Sequence, residues 1–414
     1  MAVTLAVLGT GSRGVTFAGF AERYPDRARV VAVADPRTGR RDMLADRLGV
    51  APDRRFADWR ELAAGERLAD AVVVTTPDRE HVEPACRLAR LGYHILLEKP
   101  IAPTRAGCVE VIDAVDRAGV ILAVCHVLRY TAYTDVVKRT VDEGRLGRLV
   151  GVDQVEPVGW WHFAHSYVRG NWRRADRSGP SVLTKCCHDF DWLRYIVGRP
   201  AVCVSSTGGL HHFTAANRPA GAADRCLDCA VEADCPYSAV RQYLGYLGDA
   251  GRERWPLSVV TTDLTERGVR QALREGPYGR CVYACDNDVA DHQVVTIEFA
   301  GGVTATLTMS AFTPFARRRT RIMGTHGCLD GDGATLTLTD FRTGRVESLD
   351  PAGGADAGGG HDGGDFGVIG AFVDAVATGD ASLIRSGPHE SLESHLMAFA
   401  AEQSRATGAA VRLR

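Results

Sequence analysis

The 414-residue chain has no basic excess: 49 Lys and Arg stand against 51 Asp and Glu, for a formal charge of -2. A surface that neutralises phosphates in bulk needs such an excess, so no nucleic-acid partner is expected. No apolar run approaches the roughly 20 residues of a membrane-spanning helix, so no membrane partner is expected either. The apolar N-terminus has neither a basic leader nor a cleavage site, which points to a cytoplasmic location. Internal repeats are absent too. In that compartment the twelve cysteines read as thiols or metal ligands before they read as disulfides. The only tight basic cluster, Arg317-Arg318-Arg319-Thr320-Arg321, reads as a solvated or interface-facing strand edge. With 45% hydrophobic residues the chain can bury a large core, and its length predicts two domains.

What is present begins with the first residues. An apolar run at 5–8 reads as a buried strand, and Gly9, Gly11 and Gly14 follow it in G-x-G-x-x-G spacing. A helical pattern over 15–24 stops at Pro25, and a second strand over 30–34 ends on Asp35. Strand, glycines, helix and a terminal acid about twenty residues on form the pattern of a dinucleotide-binding unit. Gly9 allows the tight turn, Gly11 lets backbone approach a pyrophosphate, and Gly14 lets helix and strand pack closely. Ser12 and Arg13 lie within that turn, at a helix N-terminus whose unpaired N–H groups suit phosphates. Asp35 would accept from ribose hydroxyls and repel a 2′-phosphate, so NAD is favoured over NADP. Arg37, Arg40 and Arg41 weaken that preference.

Strand and helix continue to alternate to residue 126, which predicts an α/β fold with an N-terminal Rossmann doubly wound parallel sheet. Ligands in such sheets bind beyond the carboxyl ends of the strands. Asp35, Thr75, Thr76, Glu98, Lys99 and His126 all fall at such ends. The pattern then changes. Residues 127–414 read as a second α/β domain with an open, mostly antiparallel sheet, built from runs at 149–158, 202–207, 292–299, 303–310, 319–324 and 334–339. The stretch 208–290, rich in Cys, Arg and Gly, reads as an irregular insertion, and the Gly-rich stretch 351–367 as a flexible loop. Helices are expected over 133–143, 181–197, 368–377 and 390–407.

Oxidation of a secondary alcohol by a nicotinamide needs a group to take the hydroxyl proton and donors to fix the oxygen. Lys99, at a strand end between Glu98 and Pro100, and His188, on the helix over 181–197, are the candidates. Lys185, His188 and Asp191 are three apart and share one helix face. An exposed lysine in a turn and a satisfied core histidine are the plainer readings of each alone.

Together these residues resemble a family. Gly9-x-Gly11-x-x-Gly14, Thr76-Pro77-x-x-x-His81, Glu98-Lys99-Pro100, His126 with Arg129-Tyr130, and the helix bearing His188 and Asp191 resemble the glucose–fructose oxidoreductase/inositol dehydrogenase/rhizopine-catabolism (Gfo/Idh/MocA) family. The resemblance implies an NAD(P)-dependent oxidoreductase of sugars, cyclitols or glycosides. It implies acid–base roles for Lys99 and His188, nucleotide contacts for Thr75 to Pro77, His81, Glu98 and His126, and substrate contacts for Arg129 and Tyr130. It also implies a homo-oligomer, dimer or tetramer, formed through the C-terminal sheet. One position departs: many members carry Asp four residues before the histidine, where this chain has Thr184, followed by Lys185.

Two further stretches carry signals. Residues 158–173 are aromatic and read as a substrate loop, with Trp161 to stack on a sugar face and His162, His165, Arg169 and Asn171 to address hydroxyls or a carboxylate. Trp172 covers the nicotinamide in what the resemblance implies. A packed aromatic loop is the plainer reading. In the insertion, Cys226-x-x-Cys229, Cys235 and Cys281, with Cys285 nearby, suit a tetrahedral structural zinc. An iron–sulfur cluster competes, as do unligated thiols.

Three functions follow, beside a fourth reading in which the cysteine cluster is redox-active. The first is NAD-dependent hydride transfer on a sugar-like carbinol. The second is a glycosidase or lyase that oxidises a sugar carbon only transiently. The third is a ligand-sensing regulator without catalysis.

Overall fold

Six short, almost wholly apolar strands make one sheet: β1 (Val3–Leu8), β2 (Ala28–Ala34), β3 (Arg55–Phe56), β4 (Ala71–Val74), β5 (His94–Leu97) and β6 (Leu122–Val124). The computed structural model, which describes residues 1–351 and 361–413, pairs them all in parallel in the order β3-β2-β1-β4-β5-β6. A parallel sheet is covered on both faces, which is why β4 is four buried residues in a row. Phe17 and Phe20 of helix Ser12–Arg23 and Val368 and Phe372 of helix Gly364–Thr378 cover one face. Helices Val82–Arg90 and Arg105–Ala118 cover the other. This is the doubly wound parallel sheet expected from the sequence, with its strand order now given by the structure.

The second sheet has nine strands: β7 (Leu149–Pro157), β8 (Ala201–Gly209), β9 (His292–Phe299), β10 (Thr304–Ser310), β11 (Arg319–Gly324), β12 (Gly327–Gly331), β13 (Leu336–Asp340), β14 (Val346–Leu349) and β15 (Val411–Arg412). Their order is β14-β13-β12-β11-β7-β10-β9-β8-β15, and only β7 and β10 run parallel. Along β9, Gln293, Val295, Ile297 and Phe299 are buried and Thr296 and Glu298 exposed, the period-two pattern of a sheet with one covered face. Helices Ser181–Val197 and Pro388–Thr407 cover it through Phe190, Leu193, Met397 and Ala401.

Two expectations change. Of the stretch read as a flexible loop, residues 352–360 lie outside the described residues, but Gly364–Thr378 is a helix. A Cβ on Gly364 would stand 2.4 Å from Val127 O, and one on Gly367 2.7 Å from Tyr130 Cβ, so these glycines permit close packing. The insertion is not irregular throughout. Helices Ala239–Leu244 and Glu266–Glu275 enclose a small core of Tyr243, Leu257, Val269, Leu273 and Tyr278.

Candidate active site

The glycine turn closes on backbone. Gly9 has φ +84°, and a Cβ there would lie 2.5 Å from Thr75 O; one on Gly14 would lie 2.0 Å from Gly9 O. Thr75 locks the turn from below, its hydroxyl donating to Leu8 O and Gly9 O at 2.8 and 2.7 Å. Gly11 caps helix Ser12–Arg23, which has no acidic residue in its first turn to oppose an anion.

At the end of β2, Asp35 accepts from Thr10 N at 2.7 Å and from the Arg37 backbone and guanidinium at 2.7–2.9 Å. Burial alone would raise this carboxyl, but the Arg37 and Thr10 hydrogen bonds hold it at about 2. Arg37 thus sits on Asp35 itself, an arrangement the spacing did not reveal. Arg13 reaches away from the turn, pairing with Glu98 and with Asp365 of helix Gly364–Thr378. It ties the β5 end to the C-terminal segment.

Lys99 follows β5, and its Nζ donates to Thr184 O at 3.0 Å, on helix Ser181–Val197. This helix brings Lys185 and His188 to the same place. Lys185 Nζ lies 3.3 Å from Glu156 Oε1 on β7. Arg318 pairs with Glu156 at 2.7 Å and with Asp189 at 2.6 Å. Burial raises the Glu156 carboxyl and the cations Arg318 and Lys185 outweigh it, so the group stays low. Arg318 is therefore a half-buried link between Glu156 and Asp189, so the cluster at 317–321, read as a solvated or interface-facing edge, divides: Arg317 and Arg321 are exposed, and Arg318 turns inward.

His188 is 7% exposed, and its Nδ1 has no protein partner. Burial, then the charges of Lys99 and Arg318, pushes its pKa well below the ordinary histidine value, so the ring is neutral. It lies 5.9 Å from the ring of His126 and 6.1 Å from that of His361. Trp172 donates from Nε1 to Asp78 Oδ2 at 2.8 Å, bridging the second domain to the loop after β4. Trp161 and His162 form an aromatic wall with Trp255 and Phe315, with ring centroids 5.1–5.6 Å apart.

Several of the expected contact residues are buried, and most of their side chains are engaged elsewhere. Both ring nitrogens of His81 face backbone carbonyls, Pro100 O at 2.8 Å and Thr76 O at 2.9 Å, and the ring is fully buried. His126 is fully buried behind His188, with no surface for a nucleotide. Arg129, also fully buried, clasps Asp191 with two hydrogen bonds at 2.7 and 2.8 Å. Tyr130 Oη accepts from Arg385 N and Ser386 N. His165 stacks on Tyr278 and meets Tyr243 Oη at 2.8 Å, while Arg169 donates to Arg280 O and Tyr237 O. These last two anchor the insertion. Asp78, Glu156, Arg318 and Asp365 went unread as site residues, since their partners lie far off in sequence. The tetrahedral zinc expected on Cys226, Cys229, Cys235 and Cys281 is not formed: among the described residues no three His, Cys, Asp or Glu side chains converge on a metal position. All four thiols are free.

Comparison with known proteins gives consistent findings. Residues 3–126 match the Gfo/Idh/MocA family model described as an oxidoreductase family NAD-binding Rossmann fold, and residues 138–349 match that of its C-terminal alpha/beta domain. The chain is 25% identical over 209 residues to the 2,7-anhydro-N-acetylneuraminate hydratase of Escherichia coli K12, covering 50% of this chain and 53% of that protein. It is 30% identical over 219 residues to the inositol 2-dehydrogenase of Rhizobium meliloti, covering 51% and 59%. The chain thus spans about half the length of the relatives it matches. An Agrobacterium radiobacter oxidoreductase, solved with NAD+, L-tartaric acid and magnesium, has the same fold over 100% of this chain and 98% of its own, with TM-score 0.71 at 15% identity. Among the described residues no helix is long and apolar enough to cross a membrane.

Proposed function

Taking as premise that the chain belongs to the Gfo/Idh/MocA oxidoreductase family, we propose an NAD-dependent enzyme that oxidises a secondary alcohol of a sugar, cyclitol or glycoside. The glycine cradle fits the nucleotide, since side chains at 9 and 14 would collide with backbone and the helix above them starts without an acid. When bound, the nicotinamide supplies the hydride acceptor. Asp35 disfavours a 2′-phosphate, so NAD is preferred to NADP, and Arg37 tempers that preference by sitting on the carboxylate.

One contact carries this reading. Lys99 Nζ on Thr184 O, at 3.0 Å, seats an ammonium from the nucleotide sheet beside the helix that holds Lys185 and His188. Lys99 fixes the reacting oxygen, and the neutral His188 imidazole accepts the hydroxyl proton. Lys185, held by Glu156, adds a second cation to hold developing negative charge. Trp161 and His162, packed with Trp255 and Phe315, make the aromatic wall that would border a sugar ring, and Trp172, braced by Asp78, walls the nicotinamide side. The test is a screen of sugars, inositols and glycosides for NAD reduction, with Lys99→Ala and His188→Ala alongside. Loss of about 10²–10⁴-fold in kcat is expected in each, and full turnover in both overturns the assignment.

The similarity to a hydratase favours a second reading, in which oxidation is transient and the reduced nucleotide is returned. Product formation without net NADH distinguishes it. We further propose domains at 1–126 and 127–414, a cytoplasmic location, and a dimer or tetramer formed through the nine-stranded sheet, which leaves Val150 and Val346 exposed. A monomer in sedimentation overturns the last.

A further inference from the structure

Trp161, expected to stack on a sugar face, is backing rather than surface. It is 7% exposed, with the Arg252 guanidinium 4.6 Å over its ring and the Phe315 ring 5.1 Å away. The rings that do meet solvent stand just outside it: Trp160 is 40% exposed, Phe312 45% and Phe315 49%. Scattered apolar side chains at a surface are ordinary, but neighbouring exposed rings mark a face that something covers.

Backbone brings these rings to one rim. The turn after β10 is pinned to the loop after β7, with Val158 N donating to Ser310 O at 3.1 Å, Gly159 N to Thr313 Oγ1 at 3.2 Å and Trp160 N to Thr313 O at 3.1 Å. A Cβ on Gly159 would stand 2.7 Å from Phe315 Cα, so glycine lets the two segments approach this closely. The rim also adjoins the reactive groups. The Phe315 ring lies 5.5 Å from that of His162. Burial, then the charge of Lys185, pushes the His162 pKa well below the ordinary histidine value, and Lys99 adds to the effect. The exposed face is thus one ring removed from the groups that would hold the reacting carbinol.

The chemistry of the rim selects its occupant. Phe312, Pro314, Phe315 and Ala316 are exposed and carry no polar side-chain atom, and the Thr313 hydroxyl between them is engaged by Gly159 N. A second sugar ring would bring hydroxyls to a surface that answers few of them, and their desolvation would go uncompensated. An apolar group has no such loss. The patch is also too small for a stable protein interface: with Trp160 its exposed apolar residues number five, where such an interface takes about 20–30 residues a side. Building on the oxidoreductase reading, we propose that the substrate is a glycoside with an apolar, aryl-type aglycone. Trp160, Phe312 and Phe315 bind the aglycone while the sugar lies against Lys99 and His188.

The test measures binding and turnover separately, on the full chain. Phenyl and methyl glycosides of glucose, galactose and mannose, in both anomeric forms, are titrated by calorimetry into the NADH-loaded protein and screened for NAD reduction. In at least one pair the phenyl glycoside should bind about tenfold more tightly than its methyl counterpart, the gain from taking much of one apolar ring out of water. The kcat/KM should favour it by a similar factor. Phe312→Ala and Phe315→Ala should erase the preference, and reading the ratio within a pair cancels any general loss in a variant. Equal affinity within every pair overturns the proposal, as does a preference that survives in both variants. So does a dimer that Phe312→Ala dissociates, since a second copy would then be the occupant. A phenyl preference without NAD reduction would refute the oxidoreductase reading and leave the aglycone surface standing, and NAD reduction without the preference would do the reverse.

Discussion

His188 is held neutral by burial before any charge acts on it, and its neighbours Lys99 and Arg318 only deepen the effect. A base prepared in this way needs no deprotonation at neutral pH. Turnover should therefore show no inflection near the ordinary histidine value of 6.5, and the acid limb of kcat/KM should lie below it. The same burial affects stability. His165 and His395 are both pushed down to about 3, chiefly by burial. Above pH 6.5 neither state binds a proton at these rings, and stability is unaffected. Below it the unfolded chain binds protons that the native rings refuse, so stability falls until about pH 3. The expected loss is on the order of 1 kcal/mol per histidine for each pH unit. Urea midpoints measured from pH 7 to pH 5 should drop steadily. A flat profile would mean that these rings are not buried neutral.

The elements differ in how much of them could be read beforehand. The turn of Gly9, Gly11 and Gly14 was legible because the conformational demand is local: Gly9 and Gly14 answer clashes with backbone a few residues or one strand away, while a Cβ on Gly11 would meet only Arg37 Nη2 at 3.8 Å. Gly14→Ala forces Gly9 O to move, so NAD affinity should fall at least tenfold, as followed by nucleotide fluorescence, with little change in the second sheet. Lys99 and His188 were legible as residue types at strand end and helix face. The partners of Arg129, Tyr130 and Arg169 were not legible, because Asp191, Ser386 and Tyr237 come from elements that sequence spacing does not bring near. Arg318 was misread for the same reason. Strand alternation divides the 317–321 cluster between two faces, but nothing local names Glu156 and Asp189 as its partners. Removing one partner of a buried pair leaves charge uncompensated, so Arg318→Leu should cost about 3–5 kcal/mol. Chemical denaturation measures it, and a loss under 1 kcal/mol would show the network to be solvated.

At the scale of the molecule, the two sheets share their C-terminal elements rather than merely abutting. Phe399 of helix Pro388–Thr407 packs against the cores of both sheets. Ile101 N donates to His395 Nε2 at 2.9 Å, Ser386 Oγ to Val124 O at 2.7 Å, and Ser206 N to Ser404 Oγ at 2.9 Å. Helix Gly364–Thr378 belongs by sequence to the second half yet covers the first sheet, and its Asp365 holds Arg13 beside the glycine turn. Chain that leaves one sheet and returns to the other cannot unfold with one and stay folded with its neighbour. Thermal unfolding should accordingly be a single transition in calorimetry. Saturating NAD, cradled by the glycine turn of the first sheet, should raise that whole transition, by about 2.7 kcal/mol at a hundredfold excess over Kd. Two transitions, with the nucleotide shifting only one, would mean that the C-terminal helices do not couple the sheets. Lys99 would then meet Thr184 by docking of separate units rather than by a shared framework.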